Sequence, residues 1–148
     1  MSIFSSMNIG ATALTAERTR MDIIAKNMAN AQTTRTKNGQ PYRRQVAVFQ
    51  EVQEDKSFKS VLASKTTKKS GSVGGVEVVG IVEDKSPFKL RYDPGHPDAD
   101  ENGYVKMSNV DTITEMVDMI STQRAYDANV TSINTARMML QKAMEIGK

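Results

Sequence analysis

The stretch "MVDMISTQRAYDANVTSINTARMMLQKAMEI", Met116–Ile146, decides how this chain folds. Met116, Met119, Gln123, Tyr126, Val130, Ile133, Arg137, Leu140 and Met144 recur at intervals of three and four. That spacing predicts one continuous helix, widened on its apolar side by Ile113 and Ile120. Ser108 and Asp111 both suit the N-cap position, and Asp111 and Glu115 favour the positive helix end. A helix from Asp111 to Ile146 would run roughly 54 Å. Such length favours a coiled coil over an ordinary globular core. The seam is also unusually polar, with Gln123, Arg124, Asn129 and Asn134 where a closed core would hold apolar groups. Polar groups on a seam fix register and exchange hydrogen bonds with other helices, so they point to assembly.

The other end of the chain repeats the pattern. Phe4, Met7, Ala11, Leu14, Met21, Ala25 and Met28 follow the same spacing, interrupted by Arg18. A helix is expected over Ile3–Ala31, ending where "ANAQTTRTKNG" favours turns. Gly10 is its weak point, at a cost of up to ~1 kcal/mol relative to Ala. Both stripes are rich in Met and Ala. Met fills irregular gaps and suits surfaces that meet several unlike neighbours. Two such helices cover only one narrow face of each other, so part of their order is expected to come from assembly.

Between the helices the composition changes. All the prolines and most aromatics lie here. "YRRQVAVFQEV" (42–52), "VGGVEVVGIV" (73–82) and "PFKLRY" (87–92) alternate like strands, and predict one small antiparallel sheet of at least three strands. The glycines of the second stretch permit a bulge or a close approach. "SKTTKKSGSVGG", Ser64–Gly75, reads as a flexible polar loop, and "DPGHPDADENG", Asp93–Gly103, as a turn-rich connector. The expected architecture is α+β. An N-terminal helix (1–31) and a C-terminal helix (111–148) form an antiparallel coiled coil, and a β-rich domain with long loops (32–110) is inserted between them.

Chemistry is thinly supplied. The chain has no cysteine, which excludes thiol catalysis, disulfides and zinc–thiolate sites. His96 is the only histidine. Asp98, Asp100, Asn102 and Gly103 begin like a calcium loop, but Asn109 stands where the bidentate Glu belongs, so a structural connector is expected. The basic "RTKNGQPYRR" with Lys65, Lys68 and Lys69 lacks the aromatic signatures of RNA-binding modules. Its charge is expected to be solvated at a sheet edge, with contact to another subunit's acidic loop as an alternative. No P-loop, dinucleotide fingerprint or nucleophile elbow is present. No cofactor, small-molecule substrate or nucleic acid is expected. No apolar run of ~18 residues suits a membrane span, and the N-terminus is a poor signal peptide.

"DIIAKNMANAQTTRT" (22–36), with its Asn27, Ala29 and Asn30 turn, resembles the N-terminal signature of the bacterial flagellar rod, hook and axial protein family. "VDTITEMVDMISTQRAYDAN" (110–129) resembles that family's C-terminal signature. "PYRRQVAVF" and "YDPGHPDADENGYVKMSNVD" are similar to its short rod members, with Ser108 where a proline is usual. The resemblance implies a non-catalytic structural subunit of the basal-body proximal rod. It implies export through the flagellar type III apparatus without a cleaved signal, and helical assembly with its own copies and other rod proteins to transmit torque through the periplasm. Subunit contacts are then expected on the N-terminal helix at Met7, Leu14, Arg18, Met21, Asn27, Met28 and Asn30. On the C-terminal helix they are expected at Met116, Ile120, Gln123, Arg124, Tyr126 and Asn129, and further along at Ile133, Arg137 and Leu140. The alternative reading is a secreted coiled-coil adaptor or effector acting as a monomer or dimer. An enzyme using the 93–102 loop is a distant third.

Overall fold

The computed structural model describes residues 3–52 and 74–146. Lys65, Lys68 and Lys69 and the side chain of Phe4 lie outside the described part. The elements run α1 (Ile3–Ala29), β1 (Gln45–Glu51), β2 (Val76–Glu83), β3 (Lys89–Tyr92), β4 (Tyr104–Met107) and α2 (Thr112–Ile146). The architecture is α+β, with long terminal helices and small antiparallel sheets between them.

The two helices run antiparallel. Asn27 near the end of α1 meets Glu115 at the start of α2, whereas Gly10 faces Ile133 at the other end. A Cβ placed on Gly10 would stand 2.8 Å from Ile133 Cγ1, so the glycine allows a close approach that offsets its poor helix propensity. α1 stops at Asn30, whose side chain donates to the Lys26 carbonyl and accepts from the Thr33 hydroxyl. The cap of α2 is Asp111, not Ser108. Asp111 Oδ1 accepts from the amides of Ile113 and Thr114, as an N-cap does. Ser108 is buried one turn earlier, where its hydroxyl accepts from the Val110 amide.

β1 and β2 form one antiparallel ribbon that packs on α1. Its register slips between Val48 and Phe49, leaving Val79 as a bulge beside Gly80. Gly75 gives the close approach: its Cβ would lie 2.9 Å from Thr12 Oγ1, which accepts the Val76 amide. Arg20 of α1 lies 4.2 Å over the Phe49 ring. The expected single sheet of three strands is not formed. β3 pairs instead with β4, in a second two-stranded sheet. The cause lies at Asp84–Ser86. Their carbonyls are taken by the side chains of Arg43 and Asn109, and Ser86 folds back onto the Asp84 carboxylate. The chain therefore leaves the first ribbon before β3 begins. β4 is only four residues long, in a stretch whose turn residues dominate the pattern.

Burial is lopsided along the helix pair. Ala16, Ile23, Ile24 and Asn27 of α1 and Glu115 and Thr122 of α2 are buried, all toward the end where the sheets sit. At the other end a cleft of about 430 Å³ opens between the helices, lined by Ser6, Ala128, Thr135, Ala136 and Met139. Amide hydrogen exchange of the dilute monomer is therefore expected to be polarised. Protection should be strongest over 16–27 and 115–122, and weak over 5–10 and beyond 131. Uniform protection along both helices would contradict this.

Candidate functional site

A buried polar node forms where the two helices and the start of β1 meet. Asn27 is 1% exposed and uses all four of its side-chain hydrogen-bonding positions. Its Nδ2 donates to the Gln45 carbonyl at 2.8 Å and to Glu115 Oε2 at 3.0 Å. Its Oδ1 accepts from the Tyr42 hydroxyl and from the Gln45 amide, each at 2.9 Å. Glu115 is fully buried, and its other oxygen accepts from Arg44 Nε. Arg44 Nη2 reaches on to Asp118 at 3.1 Å, and the Arg44 amide donates to Asn109.

The electrostatics follow from this geometry. The hydrogen bond to Glu115 holds the Arg44 guanidinium above its ordinary pKa; burial opposes this, while the charges of Glu115, Asp118 and Asp84 add to it. Burial raises the Tyr42 phenol, and the carboxylates of Glu115 and Glu83 push the same way. The node is a neutralised, hydrogen-bond-saturated joint. It holds a tyrosine as a neutral donor and a carboxylate as an acceptor, and fixes α1, β1 and α2 against one another.

The residues expected at subunit contacts divide into three groups. Asn27 is inside, with no polar capacity left for a neighbour. Met7, Leu14, Met21, Met28, Asn30, Tyr126, Asn129, Ile133 and Leu140 are half-buried. Arg18, Met116, Ile120, Gln123, Arg124 and Arg137 are exposed. Glu115 and Arg44 had a detectable but ambiguous signal. An acidic residue in a first helical turn reads as a dipole partner, and an Arg in a basic run reads as solvated charge.

The acidic connector is tied into its own chain. Asp98 accepts from the Thr34 hydroxyl and pairs with Arg35 at 3.7 Å. Asp100 Oδ1 accepts the amides of Asn102 and Tyr104. His96 Nδ1 accepts the Asp98 amide. Among the described residues no group of three or more His, Asp or Glu is placed to hold a metal ion. The basic run is likewise committed. Arg43 donates to two carbonyls and stacks 4.3 Å over Phe88, and Arg44 is in the node.

The cap at Asp111 carries an acid-sensitive contribution. The amides of Thr114 and then Ile113, with Lys89 behind them, hold its carboxyl below the ordinary carboxylate value. A depressed folded pKa means stability present above the unfolded value and lost as pH falls through the folded one. Asp111→Asn keeps the cap and removes the charge. It should leave the neutral-pH melt nearly unchanged and make the acid loss of α2 helicity shallower, measured by circular dichroism from neutral pH downward.

Residues 7–37 match the family model described as flagella basal body rod protein, and residues 101–146 match the one described as flagellar basal body rod FlgEFG protein C-terminal. Among curated proteins, the chain is 49% identical over 152 residues to the flagellar basal-body rod protein FlgC of Bacillus subtilis, covering 100% of both chains. It is 45% identical to FlgC of Borreliella burgdorferi, over 99% of this chain and 98% of that one. It is 38% identical to FlgC of Escherichia coli O6:H1, over 100% of each. These relatives do not favour an adaptor or effector. They join the two helical signatures and the β-rich middle in a single full-length match, and the chain belongs to the FlgC family of flagellar basal-body rod proteins.

Proposed function

We propose that this structural rod subunit is a non-catalytic building block that packs helically with its own copies and with other rod proteins. In that role it transmits torque through the periplasm, after leaving the cell through the flagellar type III export apparatus without a cleaved signal. Among the described residues no helix is long and apolar enough to cross a membrane. The observation that carries the reading is that α2 is apolar on two sides. One side carries Met119, Tyr126, Val130, Ile133 and Leu140, half-buried in line with the buried Glu115 and Thr122. At about 100° per residue, the opposite side carries Ile113, Met116, Val117 and Ile120, 73%, 53%, 60% and 52% exposed. An uncovered apolar stripe of this kind marks a protein contact surface. Polar Gln123 and Arg124 continue it, and would fix the register of the neighbouring helix.

Arg124→Ala tests the polar part. If the guanidinium is buried at a contact, losing a hydrogen bond to a charged group costs about 1.5–3 kcal/mol, repeated at each copy. Swimming should fall while export of the subunit continues. Full motility of the Arg124→Ala strain would count against the contact.

A further inference from the structure

We infer that the two β-ribbons form a second, head-to-tail contact between copies of this chain, the outer face of β3–β4 in one copy covering the outer face of β1–β2 in the next. The inference rests on the assembly reading above and concerns a different surface from the α2 stripe.

Directly paired residues in a sheet share a face. On β1–β2 the pairs Val46 with Val82, Val48 with Gly80 and Gln50 with Glu77 share the face turned away from α1. Ala47 and Phe49 are half-buried on the other. Val46, Val48 and Val82 are exposed, and Val79 stands out at the bulge. Gly80 has no side chain, and a Cβ there would meet nothing within 4 Å. It leaves an apolar hollow between Val48 and Val82, with one acidic group, Glu77, at its far side.

On β3–β4 the pairs Leu90 with Lys106 and Tyr92 with Tyr104 share the outer face, while Val105 is buried on the inner one. Leu90 and Tyr92 are each 65% exposed. The two tyrosines meet edge to face, with centroids 5.3 Å apart, and form a firm aromatic projection. This face carries one basic group, Lys106.

The faces match in shape, charge and spacing. An aromatic projection fits a glycine hollow flanked by valines, and aromatic cover is a known remedy for a bare glycine in a sheet. Neighbouring same-face pairs are about 7 Å apart along a strand. The tyrosine pair and the Leu90–Lys106 pair are separated by that step. So are the Val48–Gly80 and Gln50–Glu77 pairs along β1. When the tyrosines cover Gly80, Lys106 comes over Glu77. Unlike surfaces meeting in this way give a head-to-tail contact that repeats from copy to copy instead of closing a twofold dimer.

The chain has no cysteine, so engineered thiols meet no competing thiol of this chain. Val48→Cys and Tyr92→Cys are placed together in one chain, and basal bodies from a swimming strain are treated with a mild oxidant. The expected result is a ladder at multiples of the 16.3 kDa chain, with no disulfide-linked dimer from either single variant. A swimming strain without a ladder overturns the pairing and leaves the assembly reading standing; absence of the parent chain from basal bodies would instead overturn that reading. A disulfide-linked dimer from Val48→Cys alone means that like faces meet, which also overturns it. So does a photo-crosslinker at Val48 that captures a different rod protein and not this chain. Charge reversal decides the case if the thiol variants fail to fold. Glu77→Lys and Lys106→Glu should each lower self-association roughly fivefold, and their combination should restore it. A combination no better than the single variants refutes the inference.

Discussion

Arg44→Ala is expected to lower the unfolding free energy of the monomer by about 3–5 kcal/mol, a large part of the stability of a single domain. The reason lies in what remains behind. Glu115 is 0% exposed, and in the variant its only remaining side-chain donor among the described contacts is Asn27. A buried carboxylate stripped of its cation is among the costliest defects a fold can carry. Arg44 is itself only 25% exposed on its side chain, so its pairing with Glu115 is little screened by solvent. Its second bond, to the half-exposed Asp118, is the weaker one. The guanidinium stays charged far above neutral pH, so the contribution is present across the working range. A double-mutant cycle isolates the pair. Arg44→Ala with Glu115→Ala should cost clearly less than the sum of the single variants, because the double variant leaves no orphan charge. Denaturant unfolding measures all four proteins. An Arg44→Ala midpoint matching the parent would show that the node does not hold the joint together.

The fold was legible at the scale of elements and less so at the scale of faces. Both helices fall within two residues of the ends that spacing, caps and turn residues indicate, because local rules govern those ends. The heptad-like ladder of α2 is a poorer guide to burial. A straight helix drifts about 20° per heptad against a strict seven-residue repeat. One line of the ladder therefore begins on the exposed flank at Met116 and Gln123 and is half-buried only by Val130, whereas the other, Met119, Tyr126, Ile133 and Leu140, lies half-buried toward α1. On α1, Ala11, Arg18 and Ala25 of the ladder are exposed while Ala16, Ile23 and Ile24 are buried. That helix has neighbours on two sides, α2 and the β1–β2 ribbon, and its most buried line falls between them. Nor does periodicity reveal Glu115. Its burial depends on Arg44 and Asn27, distant in sequence, and pairing of that kind is a tertiary property. The glycines were more informative, since Gly75 and Gly80 stand where the chain needs a close approach and a bulge.

Ile120→Asp is expected to abolish rod assembly and swimming while leaving the isolated monomer as stable as the parent to within about 0.5 kcal/mol. The two halves of that statement have one cause. Ile120 is 52% exposed and lies on the side of α2 turned away from Glu115 and Thr122, so the monomer does not depend on it. In an assembled lattice the same side chain would be covered together with Ile113, Met116 and Val117. Full burial of one such side chain contributes about 1.5–3 kcal/mol. An aspartate there forfeits that burial and adds several kcal/mol for removing its charge from water. Each copy added to a rod meets the defect again, so a loss tolerable in a single dimer becomes prohibitive in a helical array. Ile120→Leu keeps size and polarity and should assemble normally, which separates the apolar requirement from any accident of the position. The measurements are swimming, the presence of the subunit in purified basal bodies, and its export from the cell. Export should persist, because the outer stripe is invoked for packing and not for passage. A motile Ile120→Asp strain with the subunit in its rods would show that this face of α2 remains open in the assembled structure, and the contact would then have to be sought on the exposed side of α1, at Ala11, Arg18 and Ala25.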